Sequence, residues 1–283
     1  MKGISLLVVG NPTYMMFAAN LMVSIKAVNP EMQINMITEP HLTGYLPPHL
    51  RLWDYLTPID YNDCNIDNRL MPGLSKLCLY KYLWSETKWT ETVYLDVDAV
   101  ALRDLTGLFN HDKSVNISIQ QDVYNWLDPE VTQSIFKTDS LPYGINDSYI
   151  YIRKSKQAQK VFKDAENLLR KNPIDLAKLK NSWFKNQPDE LYMSVSLAKN
   201  NITPYPAFSN RPVYFRYRHE YNGISTSDIE KQYWLIGTYG DLRFCHVSIG
   251  KLYDKYTQVY YRKLFNAPAI YKYHDLMNQK HKY

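Results

Sequence analysis

The chain has 283 residues, 45% of them hydrophobic and 22% charged, with a formal net charge of +5. That length suits one large domain or two small ones, and the composition excludes a disordered or fibrous chain. No apolar run approaches the roughly 20 residues needed to span a bilayer.

Met1-Lys2-Gly3 followed by Ile4 to Val9 faintly resembles the start of a signal peptide. The apolar run is short and stops at Gly10-Asn11-Pro12, so it reads as a buried strand and the expected location is cytoplasmic. Asn11 can cap the next helix, with Pro12 at the first helical position, where its missing N–H costs nothing. Tyr14, Phe17, Ala18, Leu21, Met22, Ile25 and Val28 then recur at helical spacing, and Pro30 closes the run. Gln33 to Thr38 reads as a second strand. This β-α-β order predicts a parallel sheet with a right-handed crossover, whose ligands bind beyond the carboxyl ends of the strands. Gly10, Asn11 and Tyr14 fall at that edge. Tyr14 is either a core aromatic or a ring available to stack on a base.

Residues 40 to 75 are rich in Pro, Asn and Asp and read as loop. Lys76 opens an apolar segment of mixed helical spacing, and Ser85 to Thr90 is a polar break. The stretch from Thr92 to Leu102 is an apolar, β-branched strand interrupted by Asp96 and Asp98. In an extended strand residues i and i+2 share a face, so both carboxylates can aim at one point while Val97 points away. Two hard oxygen ligands there suit Mg²⁺ or Mn²⁺, ions that accompany phosphate-bearing substrates. A merely solvated strand end could carry the same two residues. Leu102, Leu105 and Leu108-Phe109 suggest a short packed turn.

Further strands are expected at 115–119 and 149–152, the second preceded by Asn146-Asp147-Ser148. A helix is expected from Ser155 to Arg170, with Ala158, Val161, Phe162, Ala165, Leu168 and Leu169 on one face. Pro188-Asp189-Glu190 starts another through Lys199, with carboxylates where the helix dipole favours them. Prolines 204, 206 and 212 make 201–213 irregular, and short strands are expected at 213–218 and 242–247. Cys64, Cys78 and Cys245 are odd in number and widely spaced, which argues against a disulfide framework or a zinc site. The charge is uneven. Residues 251–283 hold seven Lys/Arg against two acids, interleaved with tyrosines, and the rest sums to about zero. Such a segment could contact phosphates, a membrane surface or nucleic acid, or be a solvated terminal helix.

Taken in order, Asn11 and Tyr14, Lys76, the Asp96/Asp98 pair, Asn146-Asp147-Ser148, Asp189-Glu190, and His246 with Gly250 and Lys251 resemble the glycogenin-like glycosyltransferases of family 8. That family includes bacterial lipopolysaccharide galactosyltransferases. The resemblance runs from residue 4 to residue 255. It implies a GT-A fold, a Rossmann-like α/β nucleotide-diphospho-sugar transferase fold with a mostly parallel sheet and helices on both faces. Residues 1–250 would form the catalytic domain and 251–283 a basic extension.

The family's Asn-x-x-Tyr, which contacts uridine, is matched by Asn11 and Tyr14. Its basic residue on the sugar nucleotide is matched by Lys76. Its Tyr-Leu-Asp-x-Asp is present whole as Tyr94 to Asp98. The resemblance implies metal ligation by Asp96, Asp98 and His246, with Mn²⁺ or Mg²⁺ as cofactor and a UDP-sugar as donor. Lys251 or Lys255 would contact the diphosphate. Asp189 would lie near the donor sugar, with Asn146 and Asp147 as second choices for the catalytic carboxamide or carboxylate.

The chain departs from the family at three points. Asn146-Asp147-Ser148 lacks the usual Gly of Asn-Ser-Gly, Glu190 replaces a Gln, and the late His-x-x-Gly-x-x-Lys-Pro-Trp is broken after His246. The implied activity is retaining, metal-dependent transfer of a hexose to a saccharide, glycolipid or protein hydroxyl. Transfer to a modified DNA base, with Arg211, Arg216, Arg218, His219 and the basic segment on phosphates, is the alternative. A nucleotidyltransferase or a non-catalytic sugar-binding module are further readings. Oligomeric state is not encoded in any of these motifs.

Overall fold

A computed structural model of the protein describes residues 1–204 except 67–68, 71, 102–103, 122–125, 140–141 and 181–186, together with 214–216 and 235–237. The expected opening is present. Strand β1 (Lys2–Val8) leads into α1 (Thr13–Val28) and β2 (Ile34–Thr38), and β1 and β2 pair in parallel. Pro12 itself occupies the N-cap of α1, without a side-chain cap hydrogen bond, so the helix starts one residue later than the Asn11 cap would place it. The chain turns at Gly10, whose φ of 73° lies in the left-handed region that glycine tolerates.

The stretch read as loop holds more order than its composition suggests. Two short 3-10 turns, Pro40–Tyr45 and Pro48–Leu50, lead to strand β3 (Tyr55–Pro58) at the sheet edge, where Pro58 is tolerated. After the 3-10 turn Tyr61–Cys64, a two-residue hairpin pair, β4 (Asn65–Ile66) and β5 (Arg69–Leu70), precedes α2 (Pro72–Leu77). Lys76 therefore sits in the last turn of a helix. Strand β6 (Glu91–Leu95) ends before the carboxylate pair, and β7 (Ala99–Ala101) begins just after it. Asp96 to Asp98 is thus a turn, closed by Ala99 N–H to Asp96 O at 3.1 Å, rather than a continuous strand. Val97 is still buried while both aspartates are half-buried, so the alternation survives the change of backbone.

Strand β8 (Ile117–Gln121), helix α3 (Pro129–Phe136), strand β9 (Ile145–Arg153), helix α4 (Lys156–Lys171) and helix α5 (Asp189–Lys199) follow. Ser155 caps α4 by accepting from the Ala158 N–H at 3.1 Å. The six-stranded sheet runs β3-β2-β1-β6-β9-β8. The pairs among β3, β2, β1 and β6 are parallel, and β9 runs against both its neighbours. Two short strands, β10 (Tyr214–Arg216) and β11 (Leu235–Gly237), complete a small second sheet in the order β10-β11-β7. The strand expected at 242–247 and the whole of 251–283 lie outside the described residues.

Side-chain alternation along the strands builds two cores. Ile4, Leu6 and Val8 of β1 and Val93 and Leu95 of β6 pack with Met15, Ala18, Leu21 and Ile25 of α1. On the other face Leu7, Tyr94, Ile150 and Ile152 pack with Leu74 and Leu77 of α2, Phe162 and Leu169 of α4, and Leu191 and Val195 of α5. Each such buried aliphatic side chain stabilises the fold by about 1.5–3 kcal/mol. The result is a sheet with helices on both faces. Among the described residues no helix is long and apolar enough to cross a membrane. Cys64 and Cys78 are buried free thiols, and burial pushes both up to about 12.

Candidate active site

Four chain segments meet at the carboxyl end of β6. The register of β8 against β9 jumps from Ile119–Ile150 to Gln120–Asn146, which leaves Asp147, Ser148 and Tyr149 inside the irregularity. Such bulges re-aim side chains at the rims of sheets. Ser148 is held from the β6 side, where its carbonyl accepts from the Asp96 N–H at 2.9 Å. Asp147 is thereby buried beside the end of β6. Helix α2 supplies Lys76, and the start of α5 supplies Asp189.

The Lys76 ammonium binds all three acids: Asp96 Oδ1 at 3.0 Å, Asp147 Oδ1 at 2.9 Å and Asp189 Oδ2 at 3.0 Å. Its charge also lies 5.6 Å from the centre of the Tyr94 ring. The Tyr94 hydroxyl donates to Asp96 Oδ1 at 2.6 Å. Electrostatics follow from this geometry. Burial alone pushes the Lys76 ammonium toward neutrality, but Asp147, Asp189 and Asp96 outweigh it and hold its pKa well above the usual lysine value. Burial likewise opposes ionisation of Asp96, yet Lys76 and the Tyr94 hydroxyl hold it below the usual carboxylate range. Asp147 goes the other way. Burial and the Asp189 charge push its carboxyl well above that range, and Lys76 offsets them only in part.

The start of α5 is fixed by close packing and by one side chain. A Cβ on Gly73 of α2 would lie 2.8 Å from the Gln187 carbonyl oxygen and 3.3 Å from Asp189 Cβ, so only glycine lets the two helices approach this closely. Gln187 clamps the Ile174 backbone from both sides, accepting its N–H at 3.0 Å and donating to its carbonyl at 2.7 Å. One residue beyond Asp189, Glu190 accepts from the Trp126 indole at 2.7 Å. These two residues share a shallow pocket with Thr132, Tyr143 and Ser194.

Of the residues singled out from sequence, Lys76, Asp96, Asp147 and Asp189 converge. Asn146 sits next to the cluster and turns inward, its Oδ1 accepting the Ser148 N–H at 3.0 Å. Asp98 shares the turn with Asp96 and is half-buried. Asn11 and Tyr14 follow β1, the parallel neighbour of β6, and Tyr14 packs partly on the core with its ring 6.0 Å from that of Phe17. The adjacent Gly10 N–H donates to Glu39 Oε2 at 2.5 Å, which ties the end of β1 to that of β2. His246, Lys251, Lys255, Arg211, Arg218 and His219 lie outside the described residues. Sequence reasoning did not single out Gly73, Gln187 or Trp126. Tyr94 carried a usable signal, since residues i and i+2 of a strand end share a side.

The donor set bears on metal binding. Carboxylates at 96 and 98 in one turn are the oxygen donors that Mg²⁺ or Mn²⁺ prefers. Among the described residues no group of three His, Cys, Asp or Glu side chains stands ready to hold an ion. The pair therefore fits a divalent ion in type and needs a further ligand from another part of the chain or from a substrate.

No family model matches the sequence, and no curated protein matches it. Solved structures do resemble the fold. The galactosyltransferase LgtC, in complex with donor and acceptor sugar analogues, matches with a TM-score of 0.56 at 13% identity, covering 95% of this chain and 99% of LgtC. An active-site mutant of LgtC gives 0.53 at 14% identity over 84% of this chain and 88% of that one. The bifunctional glycosyltransferase WbbM gives 0.54 at 10% identity over 83% of this chain and 45% of WbbM. Both the sheet described above and these neighbours identify a GT-A fold, as the family resemblance implied.

Proposed function

We propose that the protein is a retaining, metal-dependent glycosyltransferase that moves a hexose from a UDP-sugar to an acceptor hydroxyl. One observation carries the reading. At the carboxyl edge of a GT-A sheet, where doubly wound folds bind their ligands, four separated segments bring Lys76, Asp96, Asp147 and Asp189 together next to Asp98. The fold shared with LgtC supports the class of chemistry.

In this reading residues 1–250 form the catalytic domain. Asn11 and Tyr14 take the uridine side. Asp96, Asp98 and His246 would hold Mn²⁺ or Mg²⁺, which would supply Lewis-acid neutralisation of the diphosphate leaving group. Lys251 or Lys255 adds positive charge at the phosphates. Lys76 has a different task from a free phosphate ligand, because three carboxylates already neutralise it. It fixes their positions before substrate arrives. Asp189 then stands on the sugar side, where a carboxylate steadies the positive charge that develops at the anomeric carbon. The acceptor oxygen bonds that carbon on the face from which the diphosphate leaves. The carbon–phosphate-oxygen bond breaks, and the acceptor proton passes to the departing phosphate. No protein base is required.

The acceptor is a saccharide, glycolipid or protein hydroxyl. The test is a thermal-shift screen of nucleotide sugars with and without Mn²⁺, followed by an assay of UDP release. Stabilisation by one UDP-hexose that requires the metal, with release of UDP, is the expected result. A protein indifferent to every nucleotide sugar refutes the reading.

A further inference from the structure

We infer that Asp147 is a donor-selecting residue, whose Oδ2 takes up one particular hydroxyl of the transferred hexose. The inference rests on the function proposed above and names which chemical group of the sugar side the site recognises.

The argument is a count of hydrogen-bond donors. Asp147 is 2% exposed, and its Oδ2 finds no hydrogen-bond partner among the described residues. Buried polar atoms are otherwise paired in native proteins, so an orphan is a request for a ligand. The ammonium and the phenol of the cluster are already committed. An ammonium has three N–H donors, and those of Lys76 go to Asp96 Oδ1, Asp147 Oδ1 and Asp189 Oδ2. The single hydroxyl of Tyr94 goes to Asp96 Oδ1. Asn146 Oδ1 accepts from the Ser148 N–H. Among the described residues no donor reaches Oδ2, and a bound ligand is the natural partner for it.

The charge around the orphan limits what that molecule presents. Burial and the Asp189 charge oppose further negative charge at Asp147, and the Lys76 ammonium, already shared with Asp96 and Asp189, offsets them only in part. A phosphate oxygen, an acceptor carrying negative charge, is repelled there. An uncharged hydroxyl fits Oδ2 in either protonation state, because it donates to a carboxylate and accepts from a carboxylic acid. A hexose offers several hydroxyls on a rigid ring, and the bulge at 147–149 holds the acceptor at a fixed place on the sheet rim. The chain also departs from the family pattern here, with a carboxylate after Asn146 where the resemblance places a small residue. Selection by a buried acceptor is steep, since a donor lacking the hydroxyl leaves Oδ2 desolvated and empty.

The test compares the wild-type protein and Asp147→Ala, with Mn²⁺ present. The substrates are the UDP-hexose that turns over best and its monodeoxy analogues, each lacking one ring hydroxyl. Calorimetric binding of UDP alone is the control. In the wild type one analogue is expected to lose at least about 100-fold in kcat/KM relative to the parent. In Asp147→Ala that same analogue and the parent are expected to differ by less than about tenfold, because no polar side-chain atom remains to read the hydroxyl. Equal penalties for every analogue in both proteins overturn the inference and leave the proposed function standing. No single sensitive hydroxyl in the wild type overturns it without recourse to the variant, so a poorly folding variant does not decide the matter. Failure of the wild type to bind or turn over any UDP-hexose refutes the proposed function, and the inference with it.

Discussion

Replacing Lys76 with methionine keeps the packed stem and removes the one ammonium that three acids share. Each carboxylate oxygen lies about 3 Å from the lost charge, which places the three anions about 5 Å apart. At an effective dielectric constant of about 20 each pair then repels by about 3 kcal/mol. Protonating one aspartic acid at pH 7 costs only about 4 kcal/mol from an unperturbed pKa of about 3.9, so proton uptake is the cheaper escape. The carboxyl of Asp147 is already displaced toward the protonated form. The variant has to take up a further proton, which sets the expected loss at about 4 kcal/mol at pH 7 and about 1.5 kcal/mol at pH 5. The sign follows from linkage. Without Lys76 the acids have folded-state pKa values raised above their unfolded values. Stability they retain at low pH is lost as pH rises through the raised values, so the deficit of the variant grows from pH 5 toward pH 7. Urea unfolding of both proteins at pH 5, 6, 7 and 8 measures it. A deficit that is flat across this range, or below about 1 kcal/mol at pH 7, refutes the role of Lys76 as the shared counter-ion.

Three other expectations follow from the same geometry. Asp98→Asn should lower metal-dependent UDP release by about 100-fold or more; unchanged release would remove Asp98 from the site. Gly73→Ala should cost about 1–3 kcal/mol in urea unfolding, because its Cβ meets the Gln187 carbonyl at 2.8 Å, and it should also slow turnover by displacing Asp189; a neutral or stabilised variant would mean that the two helices do not pack as described. Ser155→Ala should cost about 1 kcal/mol through loss of the α4 cap, with no change in the KM for the donor; a shift in KM would tie α4 to the site.

Local regularities made much of the frame legible. Helix α4 could be read to within a residue, because Ala158, Val161, Phe162, Ala165 and Leu169 repeat at helical spacing behind a Ser cap. The β1-α1-β2 unit was equally plain. Strand β3 was hidden because its edge position lets Leu56 and Pro58 face outward, so no hydrophobic alternation marks it. The first half of β9 was hidden for a related reason. Gly144-Ile145-Asn146-Asp147-Ser148 reads as a turn, and only pairing with β8 across a bulge makes it strand. The members of the site could be named from motif order, but not their mutual contact. Lys76 and Asp147 are 71 residues apart, and nothing in their local sequence says that one ammonium serves both.

The four-way ion cluster also has a bearing on how the chain folds. Its members come from α2, the turn after β6, β9 and α5, and each loses hydration on burial. A partly assembled cluster, with Lys76 and one acid in place, has incurred most of that desolvation while gaining only a fraction of the attraction. The balance turns favourable when the last carboxylate arrives. Contacts of such long sequence separation carry the largest loop-closure cost and form late. The rim that carries the candidate site therefore needs the central strands and both helices in place before its charges balance, and a half-folded chain keeps this corner wet.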